Sequence, residues 1–139
     1  MTNNGKTLLV VEDDGDLREI EAQILGDSGY RVLPAGDMAE ALRVAAATPP
    51  IHLLLTDFSL PDGDGFELAH RFRALHPQAP IILASGFVAE LDSRSAGLEH
   101  FAMLAKPFRF DELERMIRAL LADMPPATHG EMRNPLNSG

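Results

Sequence analysis

The chain has 139 residues, the size of one ordinary domain, and its 45% hydrophobic and 24% charged residues exclude a disordered or fibrous protein. Its 21 Asp and Glu against 12 Lys and Arg leave a formal net charge of -9, and such a surface repels nucleic-acid phosphates and anionic lipids. The absence of Cys excludes disulfides, Cys-bound zinc and thiol catalysis, and no apolar run approaches the about 20 residues that span a membrane. We therefore expect one acidic cytoplasmic domain that binds neither nucleic acid nor membrane directly.

Five short apolar segments predict β-strands. Four are continuous, which is typical of strands covered on both faces, whereas Arg31 interrupts the second and indicates a strand at the sheet edge. The predicted strands are residues 8–11, 30–33, 53–56, 81–84 and 101–104.

Segments with helical spacing alternate with these strands. Four show apolar residues that recur three or four positions apart, and a weaker segment at 88–96 is predicted to be a short helix. The four sets are Leu17, Ile20 and Ile24; Met38, Leu42 and Ala45; Leu68, Phe72 and Leu75; and Leu113, Ile117, Leu120 and Leu121. The alternation predicts a doubly wound, five-stranded parallel α/β sheet with helices on both faces. Its strand order, 2-1-3-4-5, is adopted from known flavodoxin-like folds.

Polar residues follow the predicted strands at their carboxyl ends, where ligands bind in open α/β sheets. Glu12 and Asp13 follow the first strand and Asp57 follows the third, its neighbour in the adopted order, so we expect these carboxylates to converge. Ser85 and Lys106 follow the last two strands and are expected on the far side. Crowded carboxylates repel one another unless a cation neutralises them, and an oxygen-only ligand set selects a hard ion such as Mg²⁺.

Four motifs closely resemble those of the response-regulator receiver domain of two-component phosphorelay signalling. They are VVEDD at 10–14, LLLTDFSLPDGDG at 53–65, LASG at 83–86 and AKPF at 105–108, and the resemblance extends over roughly residues 6–122. All four occur in order at the spacing of a domain. The resemblance implies a regulatory phosphoacceptor that assists its own phosphorylation and dephosphorylation and is not an enzyme.

The same resemblance implies roles for the acidic residues. Asp57 corresponds to the phosphoacceptor. Glu12, Asp13 and Asp57 correspond to the carboxylates that hold Mg²⁺, with the backbone carbonyl of Ser59 as a further ligand. Glu12 stands where Asp is commoner, and its longer side chain is compatible with a Mg²⁺ site.

Further roles are implied for residues beside the acidic group. Ser85 corresponds to the switch hydroxyl and Lys106 to the lysine that contacts the phosphoryl group, with Pro107 following a cis peptide bond. Met103 stands where relatives carry the Tyr or Phe that rotates inward with the switch. A flexible thioether fills vacated space less decisively than an aromatic ring, so the readout here is expected to differ.

The implied partners are a sensor histidine kinase or histidine phosphotransfer protein and a downstream protein target that the sequence does not identify. Phosphorylation-dependent homodimerisation stays open. Residues 1–122 are predicted to form the domain, and 123–139, rich in Pro and Gly, a flexible tail. A free-standing regulator is preferred to a receiver piece of a hybrid kinase or transcription factor.

Two other function classes compete with this interpretation. A Mg²⁺-dependent phosphatase of the haloacid dehalogenase type would carry a second Asp two residues after the nucleophile, where this chain has Ser59. A flavin- or nucleotide-binding module would need a phosphate-cradling loop after the first strand, where Glu12 and Asp13 repel phosphate. Taken singly, the acidic residues after the first strand are more often helix caps, and Asp57 is more often a turn residue, than members of a site. Asp14 and Asp16 are interpreted as caps, and residues 62–65 as a turn before a helix. Ser85 with Gly86 is a common loop pair, and Lys106 is explicable as a surface charge. Their joint placement at four strand ends favours the receiver.

Overall fold

A single parallel sheet carries the polar residues singled out above. The computed structural model describes residues 5–48, 50–86 and 99–122. The strands are β1 (Thr7–Val11), β2 (Arg31–Ala35), β3 (Leu53–Asp57), β4 (Ser59–Leu60), β5 (Gly63–Asp64), β6 (Ile81–Ser85) and β7 (Phe101–Ala105). The helices are α1 (Gly15–Asp27), α2 (Met38–Ala47), α3 (Gly65–Leu75) and α4 (Phe110–Ala122). Strands β4 and β5 form a small antiparallel hairpin, and the other five form a parallel sheet in the order β2-β1-β3-β6-β7. With the hairpin set aside, this is the predicted order 2-1-3-4-5.

The sheet separates two hydrophobic cores. All five residues of β1 are buried, and consecutive side chains point to opposite faces, so Leu9 and Val11 join one core while Leu8 and Val10 join the other. The first core is completed by Ala41 of α2 and by residues of α3; the second is completed by residues of α1 and α4. This confirms helices on both faces and explains why the apolar segments are continuous.

The edge strand β2 begins one residue later than predicted. Tyr30 was predicted to open it, but its backbone N–H donates to the carbonyl of Leu25 at 3.2 Å, so it belongs to the turn that ends α1. The strand instead runs from Arg31 through Pro34 to Ala35. Among the described strands β2 pairs only with β1, so the missing N–H of Pro34 is tolerated at this sheet edge.

The short hairpin after β3 differs from the sequence prediction, and two predicted segments lie outside the described residues. The sequence predicted a turn at residues 62–65 but not the hairpin that β4 and β5 form there. The predicted helix at 88–96 and the predicted tail at 123–139 lie outside the described residues. Within the described ranges, no helix has the length and apolar character to cross a bilayer.

Helix α1 begins directly after the acidic residues of the first strand end. Asp14 is its N-cap, and its Oδ1 accepts hydrogen bonds from the backbone N–H groups of Asp16 at 3.0 Å and Leu17 at 3.1 Å. This confirms Asp14 as a cap. The cap turns the chain at once into the helix, so Glu12 and Asp13 stay at the carboxyl edge of the sheet.

Candidate functional site

An open cleft of about 490 Å³ lies at the carboxyl edge of the sheet. The side chains that the sequence placed after the strands all line it. They are Glu12, Asp13, Asp57, Ser59, Ser85 and Lys106. Because parallel strands end at the same edge, residues up to 94 positions apart meet here.

The three carboxylates form one compact group. Glu12, Asp13 and Asp57 each offer an oxygen, and these oxygens all lie within 4.8 Å of one another. Glu12 and Asp57 are only 3% and 8% exposed, whereas Asp13 is exposed to solvent. The group is therefore buried at its base and open on one side, a form that admits a small ion from solvent.

Lys106 is the cation of the site. Its Nζ donates to Asp57 Oδ1 at 2.8 Å and lies 3.6 Å from Glu12 Oε1. Its backbone N–H donates to the carbonyl of Ser85 at 2.9 Å, so strand pairing holds the residue beside the acidic group. Burial opposes its charge, but the hydrogen bond and attraction of Asp57, with Glu12 and Glu21 adding, raise the pKa of Lys106.

Glu12 shows how crowded the negative charge is. Burial, the hydrogen bond to Asp57 and the repulsion of Asp57 raise the pKa of Glu12 from 4.5 to about 8. The backbone N–H of Asp14, which donates to Glu12 Oε2 at 3.2 Å, and the charge of Lys106 oppose this rise without cancelling it. One lysine is thus too little positive charge for this group of acids.

These properties fit a hard divalent cation. The donors are carboxylate oxygens without His or Cys, which is the ligand chemistry of Mg²⁺ or a similar ion. A cation would also relieve the repulsion that raises the pKa of Glu12. Glu12, Asp13 and Asp57 are therefore a group that could hold a metal ion.

The loop after Asp57 is held close to the sheet. The backbone N–H of Phe58 donates to the carbonyl of Ala84 at 2.9 Å, and that of Gly65 donates to the carbonyl of Phe58 at 2.6 Å. Ser59, between them, is exposed at the rim of the cleft. The carboxylate of Asp62 accepts from the backbone N–H groups at the start of α2, at 2.8 and 3.0 Å, and so ties this loop to the neighbouring helix.

Ser85 and Met103 occupy different environments. Ser85 is 4% exposed and lines the cleft. Met103 pairs in register with Leu83 and packs, half-buried, against Phe66 and Leu83 beside the rings of Phe58 and Phe101. It contacts the α3 side of the sheet and is not among the residues that line the cleft. The Lys106–Pro107 peptide bond is cis, as the resemblance implies.

Two residues near the site were not singled out from the sequence. Arg18 donates from Nη1 to the backbone carbonyl of Glu12 at 2.7 Å and anchors the strand end to α1. Glu21 is a buried carboxylate whose charge acts on Lys106. The signal for Glu21 was available, because it stands four residues from both Leu17 and Leu25, on a helical stripe where an apolar residue is expected.

A family model decides what this arrangement belongs to. The model described as the response regulator receiver domain matches residues 8–118. The chain belongs to the response regulator receiver family. Receivers are regulatory domains of two-component signalling, and this family accounts for the sheet order and for the cleft at its edge.

Similar proteins include both single receivers and longer regulators. The receiver is 34% identical over 117 residues to the response regulator receiver protein CpdR of Brucella abortus, covering 84% of this chain and 97% of CpdR. It is 34% identical over 139 residues to the phosphate regulon transcriptional regulatory protein PhoB of Pseudomonas aeruginosa, covering 97% of this chain. That match covers only 58% of PhoB, so the chain spans nearly all of one relative and little more than half of the other.

A solved structure with the same fold comes from Methanospirillum hungatei. It is a CheY-like response regulator receiver domain protein, 29% identical, with a TM-score of 0.80 over 86% of this chain and 95% of that chain. The receiver domain of the hybrid histidine kinase CckA is also similar, at 30% identity and a TM-score of 0.73. The receiver fold therefore occurs among its relatives both as an isolated domain and within larger proteins.

Proposed function

We propose that this receiver is a phosphoacceptor switch. Asp57 takes a phosphoryl group from a histidine of a sensor histidine kinase or histidine phosphotransfer protein, and the resulting change of conformation controls a downstream protein. The observation that supports this most strongly is the pairing of Asp57 with Lys106 at 2.8 Å inside a group of carboxylates at the switch point of the sheet. In this role the domain assists its own phosphorylation and dephosphorylation and is not an enzyme acting on a separate substrate.

The chemistry assigned to Asp57 is an in-line attack on phosphorus. A carboxylate oxygen of Asp57 forms the new O–P bond while the P–N bond to the donor imidazole breaks, and the electron pair leaves with the imidazole nitrogen. Lys106 stays beside Asp57 and stabilises the negative charge on the phosphoryl oxygens. Ser85, which lines the cleft, donates a hydrogen bond from its hydroxyl to one of these oxygens.

The metal assigned to this site is Mg²⁺. Glu12, Asp13 and Asp57 would hold it through carboxylate oxygens, and Ser59 through its backbone carbonyl. When bound, Mg²⁺ supplies positive charge that offsets the charge of both the carboxylates and the phosphoryl oxygens. Asp13 is the exposed member of the group and therefore the ligand that meets an incoming ion first.

The switch itself is assigned to Ser85 and Met103. When Ser85 moves toward the phosphoryl group, the space it leaves is open to side chains of the adjoining strand, and Met103 lies one strand away, paired with Leu83. Phosphorylation acts only by favouring one of two existing conformations, to the extent of its differential contacts with them.

The net charge of the receiver favours one type of direct partner. A net charge of -9 supports a protein as the partner that this chain itself contacts, and opposes direct binding to nucleic acid or an anionic membrane surface. We assign it to the cytoplasm, where its kinase and target would meet it.

The proposal is tested by chemical phosphorylation. With Mg²⁺ and acetyl phosphate, the wild-type chain is expected to gain one phosphoryl group, about 80 Da, that is stable in acid and labile in base. Asp57→Asn is expected to gain none because it lacks the nucleophile, and EDTA is expected to suppress the gain in wild type. Intact mass spectrometry measures all three results.

The matched control is Asp27→Asn, which removes an exposed carboxylate at the far end of α1. It should be phosphorylated like wild type. A phosphoryl gain of equal size in Asp57→Asn would contradict the assignment of Asp57.

A further inference from the structure

Helix α1 carries a buried carboxylate that the proposed chemistry does not use. Glu21 lies in the middle of this helix and is only 3% exposed. A glutamate with an ordinary pKa is ionised at neutral pH, and such a side chain is rarely buried. It shares a helical stripe with Leu17, which lines the cleft next to Lys106, and with Leu25, which is fully buried in the core under α1. Glu21 therefore lies about one helical turn from a residue that lines the cleft and about one turn from a residue of the hydrophobic core.

The charges that act on Glu21 come from the phosphoacceptor site. Burial raises the pKa of Glu21 from 4.5 to about 7, the repulsion of Asp57 and more weakly of Asp14 adds to the rise, and Lys106 opposes it. In return, Glu21 is one of the groups that raise the pKa of Lys106.

The charges that act on Glu21 thus belong to residues at three places in the fold. Asp57 ends β3, Lys106 follows β7, and Asp14 caps α1 itself. The charged residues of α4 act elsewhere: Glu114 and Arg118 act on Tyr30, beyond the other end of α1.

Core packing does not account for an acid at this position. A carboxylate removed from water destabilises a fold unless it is neutralised or paired, and the stripe of Leu17 and Leu25 would accept an apolar residue. The electrostatic partners of Glu21 are instead the residues that we assign to phosphoryl acceptance.

We propose that Glu21 is a positioning residue of the phosphoacceptor site: it gains or loses a proton as the charge around Lys106 and Asp57 changes, and it thereby makes phosphoryl acceptance depend on pH near neutrality. This inference rests on the proposed function of Asp57. Ionised Glu21 adds a negative charge that interacts with Lys106. This charge weakens the electrostatic attraction that the positive charge of Lys106 exerts on Asp57 and on an anionic phosphodonor. Protonated Glu21 leaves that positive charge to the site.

The step that is measured is phosphoryl transfer from acetyl phosphate. The O–P bond of the donor breaks, acetate leaves with the electron pair, and an oxygen of Asp57 forms the new bond to phosphorus. The proton on Glu21 is exchanged with solvent and is not consumed by the transfer, so pH alters the rate through charge only.

The experiment compares phosphorylation rates of the full chain between pH 6 and pH 8.5 at saturating Mg²⁺. The variants are Glu21→Gln, which keeps the shape without the charge, and Glu21→Leu, which suits an apolar stripe. Glu19→Gln is the matched control because it removes an exposed carboxylate from the same helix. Rates are taken as ratios to this control, so that the pH dependence of acetyl phosphate, Mg²⁺ binding and Glu12 cancels.

We expect the phosphorylation rate of Glu21→Gln, divided by that of the control, to rise by about threefold or more between pH 6 and pH 8.5. The reason is that Glu21 becomes ionised in the control over this range, and one added charge near the site changes such a rate by this order. Glu21→Leu should behave in the same way, which keeps the test valid if one variant folds poorly. Parallel pH profiles for all variants would overturn the role of Glu21 while leaving Asp57 as the phosphoacceptor. Failure of wild type and control to accept a phosphoryl group at any pH would overturn both proposals.

Discussion

Burial raises the pKa of two glutamates, Glu12 and Glu21, but the two side chains have different neighbours. Glu12 lies against Lys106 and shares the acidic group with Asp57, so a bound cation would lower its pKa again. Glu21 does not belong to this group, and its pKa is raised chiefly by burial. The fold therefore gives two glutamates different roles: Glu12 is a candidate metal ligand, whereas Glu21 acts on the site only through its charge.

Glu21 should also lower the stability of the protein at neutral pH. Its pKa is about 7 when folded and 4.5 ordinarily, so between these values the folded chain holds a proton that the unfolded chain has lost. The free energy of unfolding is thus expected to fall as pH rises from about 4.5 to about 7, by up to about 3 kcal/mol. Glu21→Gln removes this term and should be more stable than wild type at pH 8, with little difference near pH 4.

Urea denaturation in EDTA at several pH values measures this effect. The presence of EDTA keeps metal binding from altering Glu12 differently in the two proteins. A constant difference in free energy of unfolding between wild type and Glu21→Gln at all pH values would contradict the raised pKa.

The first residue of α3 packs closely against the end of β3, where the proposed phosphoacceptor Asp57 lies. Helix α3 begins at Gly65, and a Cβ built there would lie 2.6 Å from the backbone oxygen of Asp57 and 2.3 Å from Leu83 Cδ1. Any side chain at Gly65 must therefore displace the end of β3 or the neighbouring strand. The close contact explains why a glycine opens this helix even though it favours no helix by itself.

Gly65→Ala should destabilise the protein and disturb Asp57. We expect a loss of about 1–3 kcal/mol in the free energy of unfolding, in the range of overpacked cores, and slower phosphorylation by acetyl phosphate. Gly26→Ala is the matched control, because Gly26 lies within α1 and a Cβ there meets nothing within 4 Å. That variant should gain about 0.5–1 kcal/mol from helix propensity. Equal effects of the two substitutions in chemical denaturation would refute the close approach of α3 to β3.

Considered as a whole, the domain gathers negative charge at one edge of its sheet. Parallel strands place Glu12, Asp13 and Asp57 together, and the net charge of -9 adds to their repulsion. An ion that binds only the folded chain stabilises the whole domain, because unfolding disperses its ligands.

Mg²⁺ should therefore raise the melting temperature of the wild-type chain, and EDTA should reverse the rise. At about a hundredfold excess of Mg²⁺ over its dissociation constant, the gain is about 2.7 kcal/mol. Asp13→Asn should lose most of the gain without unfolding the protein, since Asp13 is the exposed member of the proposed ligand set. Asp16→Asn, which changes an exposed acid of the first turn of α1, should respond to Mg²⁺ like wild type. Equal Mg²⁺ responses in the two variants would exclude Asp13 as a ligand.

The sequence was sufficient to locate, to within two residues, the five strands of the parallel sheet and the polar residues at their carboxyl ends, but not the hairpin of β4 and β5. Continuous apolar segments such as the one before Asp57 are typical of strands covered on both faces. Helical spacing located α1 but not its buried face, because Ile20 of the predicted apolar set is exposed and Glu21 is buried. Motifs around Asp57 and Lys106 then implied the receiver family, which the family model confirmed. The strand order was not derivable from local pattern and entered through known folds.

Tertiary structure alone decided what depends on distance and burial. The register that brings Lys106 to 2.8 Å from Asp57, the departure of Tyr30 from β2 and the burial of Glu21 all depend on how separate elements pack. Local sequence reports the period and propensity of one element, whereas the pKa of a carboxylate depends on water excluded and charges supplied by other elements. For this reason the members of the site could be named from the chain, but the role proposed for Glu21 emerged only from the folded molecule.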